Sequence, residues 1–451
     1  MLGERLHGLV PDHRAVRRPR TFYLAGFVAA VAFPFLTPAG RSHLTHVWAE
    51  DGARFLLDGV KESSVTNLIT PYGGYLHVIP RLSAELVALL PLEWAAAGFA
   101  LSAAVPRALV ALVTFAASGG YLRSTALRVA LAALVIVLPV GNSEPLGNIS
   151  NLHWFLLYGL FWVLLWRDAP RVPALLFTTL ATLSTPMAFV LAPLAILRLF
   201  VHRDRAVATV FLITAAIQSA VMMFAERTPY SHDAVDPVQV LLAALLRVPL
   251  AGLTGSEQVP DLYPRFGNVP LLIALLLIAV PITAALVWRD RPARFLTLLS
   301  IGCGIGIITL SLVANWTVAL QVQQPGVVMT SQRYSVLPCL LLFTAVAVGL
   351  DATPTRGRRL VITTRTVIAC TLLVSIVQHV RDQAGVLTGV TWTDSVTAAR
   401  AQCSTGTSPV GRFVHEPPGW FFELPCDLIR QAQAPAQPRP PAPRSSSAAA
   451  R

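Results

Sequence analysis

The chain has 451 residues, 54% of them hydrophobic and only 13% charged, with a formal net charge of +12. Soluble globular domains are about one quarter charged, so this composition excludes an ordinary soluble domain and fits a polytopic membrane protein. The positive charge does not point to nucleic acid: Lys61 is the only lysine, and the arginines fall in short clusters between apolar runs, as cytoplasmic loops do under the positive-inside rule.

In chain order, residues 1–21 read as a basic cytoplasmic leader, with Arg5, Arg14, Arg17, Arg18 and Arg20, ahead of a retained first span over 22–40. The outer loop that follows, 41–74, holds Trp48-Ala49-Glu50-Asp51-Gly52 and the turn signal Pro71-Tyr72-Gly73-Gly74. Residues 75–91 are apolar enough to suggest a span, but His77, Arg81 and Glu85 recur at every fourth residue and line one helical face. Three ionisable groups on one stripe are costly in lipid, so this segment is expected as a helix in the outer interface. The second span, within 94–121, carries Arg107, which snorkels or faces a polar cavity. The third, 129–140, ends in a second polar turn, Gly141-Asn142-Ser143-Glu144-Pro145-Leu146-Gly147-Asn148-Ile149-Ser150-Asn151-Leu152-His153-Trp154.

The fourth span, 152–166, returns to Arg167, and 172–185 with 187–199 form a short hairpin bent at Pro186. A seventh span, 206–224, closes an N-terminal module over 22–224. A long outer loop, 225–268, holds an apolar piece, 238–253, interrupted by Arg247 and Pro249 and expected on the membrane surface. Four further spans occupy 269–380, and the tail after Arg381 is expected outside. The fold class is thus an all-α polytopic membrane protein of about eleven transmembrane helices, with interfacial helices in the first outer loop and a small extracytoplasmic C-terminal tail. Cys403 and Cys426 are the two cysteines in polar sequence, both in that tail (381–434), where an oxidising exterior permits a disulfide. Residues 435–451 are Pro/Ala/Ser-rich and expected to be disordered.

The order of a span, an outer loop with paired acids, an interfacial helix, and two spans leading to a second polar turn resembles the GT-C class of membrane glycosyltransferases. The matching residues are Glu50-Asp51 for the first-loop acidic pair, Glu144 for a second-loop acid, and Arg333-Tyr334 entering a late span from outside. The second turn departs from the class in carrying Glu144 where Asp is common. The resemblance implies an inverting transferase that takes a sugar from a polyprenyl-phosphate donor to an extracytoplasmic glycan, lipid or protein acceptor, in the cell membrane, with a divalent cation (Mg or Mn) as a possible cofactor.

That chemistry needs a base for the acceptor hydroxyl and cations for the departing phosphate. Asp51 is expected as the base with Glu50 beside it, since adjacent carboxylates raise one another's pKa. Equally, the pair reads as a helix cap opening a short helix through Leu57. Glu144 is expected as the second acid, orienting the acceptor or sharing a metal with Asp51, with Asn148, Asn151 and His153 hydrogen-bonding hydroxyls or capping the helix at Leu152. Arg333 is the first candidate for the phosphate, then Arg81 and His77, with Arg107 and Arg247 further off. Trp48 stacks on a sugar or anchors at the interface. No Walker loop, dinucleotide fingerprint, zinc spacing or serine elbow is present in the sequence, which favours a lipid-linked donor over a nucleotide one. A transporter or lipid flippase, and a non-catalytic envelope-assembly protein, are the alternatives; mid-span charges are few and no internal repeat stands out.

Overall fold

The structure is a computed structural model that describes residues 8–11, 19–140, 145–202, 204–226, 233–322, 329–352, 358–383, 385–406 and 408–431. Both the expected second acid, Glu144, and the expected disordered end, 435–451, lie outside the described residues. The described chain is mostly helical. Among the described residues seven helices are long and apolar enough to cross a membrane: Leu92–Gly120, Ala206–Phe224, Pro237–Thr254, Val269–Trp288, Arg291–Ala314, Arg333–Leu350 and Arg359–Arg381. Large apolar side chains stand exposed on their outer faces, among them Leu272, Ile273, Leu276, Ile305 and Leu373. Water penalises such a surface and lipid solvates it.

Two central helices, Thr125–Val137 and His153–Leu165, have 13 residues each. At 1.5 Å per residue each reaches only about 20 Å, short of a hydrocarbon core of about 30 Å. Their last carbonyls would be stranded in lipid. Buried arginines meet them. Arg107 Nη2 donates to the carbonyls of Val135 and Ile136 (3.2 and 3.1 Å), with its guanidinium over the Phe155 ring. Arg198 Nη1 donates to those of Val163, Leu164 and Trp166 (2.9, 2.7 and 3.0 Å). Arg128 donates to the Phe115 carbonyl near the end of its neighbour. A cation at a helix C-terminus also complements the macrodipole. Arg107 thus caps the end of Thr125–Val137.

Polar contacts sort to the two ends of the bundle. At one end Asp351 accepts the N–H groups of Arg123 and Ser124 (2.8 and 3.0 Å) and pairs with Arg289 (3.2 Å). At the other end the first loop, residues 145–153, the ends of Arg171–Thr182 and Ala206–Phe224, and the start of Arg333–Leu350 come together. In the segment Pro237–Thr254, Gln239 Oε1 accepts the Val322 N–H (3.1 Å), and just past it Ser256 Oγ donates to the Pro139 carbonyl (3.4 Å). Pro249 does not interrupt it, because a five-residue π turn, Leu246–Leu250, absorbs the missing N–H. Where the sequence suggested an interrupted surface segment, the chain forms one continuous, half-buried helical run.

The helix Val78–Ala88 forms as expected, with its stripe turned the other way. Arg81 is fully buried, and Glu85 accepts Ser64 Oγ and Asn67 Nδ2 (2.6 Å each), so the charges face protein. Leu86, Leu89, Leu90 and Trp94, with Val65 and Ile69 of the short helix Ser64–Ile69, face outward instead. That apolar face suits the lipid interface.

The tail departs from the all-α expectation. A helix, Trp392–Ser404, packs on an antiparallel hairpin of β1 (Val410–His415) and β2 (Trp420–Pro425), followed by Cys426–Gln431. Alternation puts Phe413, Phe422 and Leu424 on the buried face with Trp392. These side chains share one core with Val47, Phe55, Leu56, Val87 and Phe99, so tail and first loop form a single subdomain. Cys403 and Cys426 are joined, their Cα atoms 5.4 Å apart. Alkylation of the native protein before reduction is expected to leave both thiols unmodified and after reduction to modify both; two free thiols in the native sample would contradict the bond.

Candidate active site

The acidic pair stands at the start of a π turn, Asp51–Leu56. Such turns re-aim side chains and recur at functional sites. Asp51 is 1% exposed. Its Oδ2 accepts the Ile149 N–H (3.0 Å) and its Oδ1 the Ser150 N–H (3.3 Å). First loop and second turn are thus bonded directly. Asn148 Oδ1 accepts the Ser150 hydroxyl (2.6 Å) and the Asn151 N–H (3.1 Å), the helix-entry role open to it in the sequence. His153 Nδ1 lies 2.8 Å from the Ser150 carbonyl. Burial holds the Asp51 carboxyl well above the usual carboxylate range; the neighbouring Glu50 adds to this, and the two backbone N–H groups oppose it. The sequence pointed to Glu50 as the main cause, and burial outweighs it.

The two carboxylates do different work. Both Asp51 oxygens are spent on backbone N–H groups, whereas Glu50 is half-buried with Oε2 3.4 Å from Ser150 Oγ. The open carboxylate of the pair is therefore Glu50. Each Asp51 oxygen has one of its lone pairs taken by a backbone N–H. Among the described residues no group of three or more His, Cys, Asp or Glu side chains could hold a metal ion.

Beside the acids, Tyr72 and Tyr75 close a tight turn through reciprocal backbone bonds (2.9 and 3.3 Å), with Gly73 and Gly74 at φ +60° and +87°. Two successive positive φ values are what such a turn demands, and glycine meets them without strain. The Tyr75 ring stacks on His77 at 4.1 Å. Gln218 pins this strand by bonding both the N–H and carbonyl of Leu76 (3.2 Å each). Burial raises the Tyr75 phenol, with Arg333 opposing and Glu50 reinforcing. Tyr75 therefore feels both the acid and the cation.

Arg333, half-exposed, opens the helix Arg333–Leu350 with its guanidinium over Tyr334, and Trp154 packs edge-on against that ring. The described chain has two non-glycine residues at positive φ, Ala49 (+39°) and Ser331 (+53°). One immediately precedes the acidic pair and the other lies two residues before Arg333. Strain of this kind is retained where neighbours over-determine the backbone, and it clusters at functional sites.

Arg81, His77 and Arg247, also expected at the phosphate, are buried. Arg81 Nη1 bonds Asp58 Oδ2 (3.1 Å) and Asn67 Oδ1, with the guanidinium against Phe55. Burial, with the nearby charge of His153 and Arg81, lowers the His77 imidazole to about 3, so it carries no charge at neutral pH. Arg247 is buried and its Nη1 donates to the Thr330 carbonyl (2.6 Å), bracing the turn before Arg333. Three groups were missed from sequence: Tyr75, the Glu257–Gln332 bond (2.6 Å) beside Arg333, and the tail residues His415 and Glu416 on the acidic loop. Tyr75 had a signal in the Gly73-Gly74 turn; the others depend on pairings distant in the chain. Comparison with protein-family models, curated proteins and solved structures gives no match.

Proposed function

We propose that the chain is a membrane glycosyltransferase that moves a sugar from a polyprenyl-phosphate donor to an extracytoplasmic glycan, lipid or protein acceptor. On this reading about eleven helices cross the bilayer, with the N-terminus cytoplasmic and the tail outside. The observation that carries the proposal is the bonding of Asp51 to Ile149 and Ser150, which holds the open carboxylate of Glu50 on the same bundle end as Tyr75, Trp154 and Arg333.

Glu50 takes the proton from the acceptor hydroxyl. The acceptor oxygen bonds to the anomeric carbon as the carbon–phosphate oxygen bond breaks, and that electron pair leaves on the polyprenyl phosphate. Displacement in one step inverts the anomeric centre. Arg333 balances the phosphate charge, and its planar guanidinium suits two phosphate oxygens. Tyr75, stacked on His77, and Trp154, packed on Tyr334, brace the residues around Arg333. The transporter alternative wants mid-membrane ionisable groups free to bind cargo, whereas the buried Arg107, Arg128 and Arg198 are engaged as helix caps.

Purified protein in vesicles, supplied with a panel of polyprenyl-phosphate sugars and an envelope extract, tests the proposal. Transfer with release of polyprenyl phosphate is expected from one donor; ion-coupled uptake with no transfer from any donor would replace it with the transporter reading. In the same assay Arg333→Ala is expected to lower kcat/KM by about 100-fold, the scale of losing a charged donor in a partly desolvated site, with Arg333→Lys recovering part of the loss.

A further inference from the structure

The proposed chemistry assigns no part to the C-terminal hairpin, yet the hairpin lies on the acidic motif. The Ala49 N–H donates to the Glu416 carbonyl (2.5 Å) and the Glu416 N–H to the Val47 carbonyl (3.1 Å), a parallel bridge across Trp48. The Glu416 side chain is 6% exposed and turns back, its Oε1 accepting the Gly389 N–H at 2.6 Å. A Cβ on Gly389 would collide with that carboxylate. The Gly389 carbonyl lies 3.3 Å from His46 Nε2, and the Trp392 N–H donates to the Thr45 carbonyl (2.7 Å). Residues 45–49 are thus clamped between two pieces of tail.

The clamp ends at Ala49, whose φ of +39° an alanine holds only under constraint. Its N–H bond to Glu416 supplies that constraint one residue before Glu50. On the far side of the pair, a Cβ at Gly52 would come within 3.0 Å of the His415 ring. His415 Nδ1 lies 3.0 Å from the Glu416 carbonyl, an acceptor, so Nδ1 carries the hydrogen. Tail residues therefore bracket the acidic pair from Val47 to Gly52.

We infer that the C-terminal hairpin is a positioning element for Glu50 and Asp51 and acts through Glu416. The buried carboxylate fixes Gly389 and the tail strand, and the Glu416 backbone fixes Ala49. The catalytic consequence rests on the glycosyltransferase reading, while the positioning itself does not.

The test uses the full chain in lipid nanodiscs, with Glu416→Ala, Gly389→Ala and the conservative Glu416→Gln, which keeps the Oε1 acceptor. Amide exchange over residues 45–52 is measured alongside kcat and donor KM. Losing one hydrogen bond of about 1.4 kcal/mol corresponds to roughly tenfold faster exchange at Ala49, expected in both alanine variants. Their kcat is expected to fall about tenfold with donor KM within about twofold, since only the reacting geometry is disturbed. Glu416→Gln is expected to stay near wild type in both readouts. Unchanged exchange in the alanine variants overturns the inference, and so does faster exchange with an unchanged kcat. Should Glu416→Ala fail to fold, Gly389→Ala, which perturbs the same contact from the other side, decides. Wild-type protein that transfers no sugar sinks the glycosyltransferase reading, and exchange alone then judges the positioning.

Discussion

Changing Glu50 to glutamine is expected to lower sugar transfer by about 10²–10⁴-fold, the range of a lost general base, without lowering the melting temperature. Glu50 is half-buried, with Ser150 Oγ 3.4 Å from its Oε2, so the amide fits with little rearrangement. Asp51→Asn is expected to abolish transfer by another route. Asn keeps one acceptor oxygen and turns an NH₂ toward either the Ile149 or the Ser150 N–H. A buried donor facing a donor costs about 1–3 kcal/mol, so this variant loses stability as well. Its pH dependence separates the two further. Burial raises the Asp51 pKa well above 3.8, so between the unfolded and folded values the folded loop binds a proton that the unfolded chain has released. The stability from that proton is present below the unfolded pKa and is lost as pH rises through the folded one. Thermal unfolding of wild type should therefore carry a downward slope with rising pH across that window, and Asp51→Asn should lack this contribution. A stable, inactive Asp51→Asn together with an active Glu50→Gln would return the base role to Asp51.

The second large effect concerns stability. Asp58→Ala is expected to destabilise the subdomain of first loop and tail by about 3–5 kcal/mol, the cost of leaving a buried ion without its partner. Arg81 is fully buried, and Asp58 is its carboxylate partner at 3.1 Å. The reverse change, Arg81→Met, should cost less, because Asp58 keeps Arg54 at 3.1 Å. The double variant should recover much of the loss, since neither charge then stays buried alone. Amide exchange of residues 55–90 in intact protein reads all three. Equal losses for the two single variants would show that Arg54 does not hold Asp58.

Apolar run length and arginine placement made the helices legible, because lipid imposes the same length and satisfaction rules on every membrane-crossing helix. They also made legible that Glu50-Asp51 and the turn around Asn148 belong together. The hydrogen-bond pattern was not legible. Arg81 and His77 lie on an i, i+4 stripe in sequence, yet one is committed to Asp58 and the other is held uncharged. Both outcomes follow from burial, which periodicity does not encode. Arg107 looked functional because charge in a span is expensive, and the expense is met by capping a helix too short to reach the surface. The β hairpin went unseen: its alternation, with Phe413 inward and Arg412 outward, is only six residues long per strand and is flanked by polar sequence.

The clamp on the acidic loop also sets the timing of biosynthesis. His46 meets Gly389 across 343 residues of chain, so the ribosome must release nearly everything between them before the contact can form. Nascent protein makes Glu50 and Asp51 early, but without the strap that shapes them, and the acidic loop takes its final form only once the tail has been made.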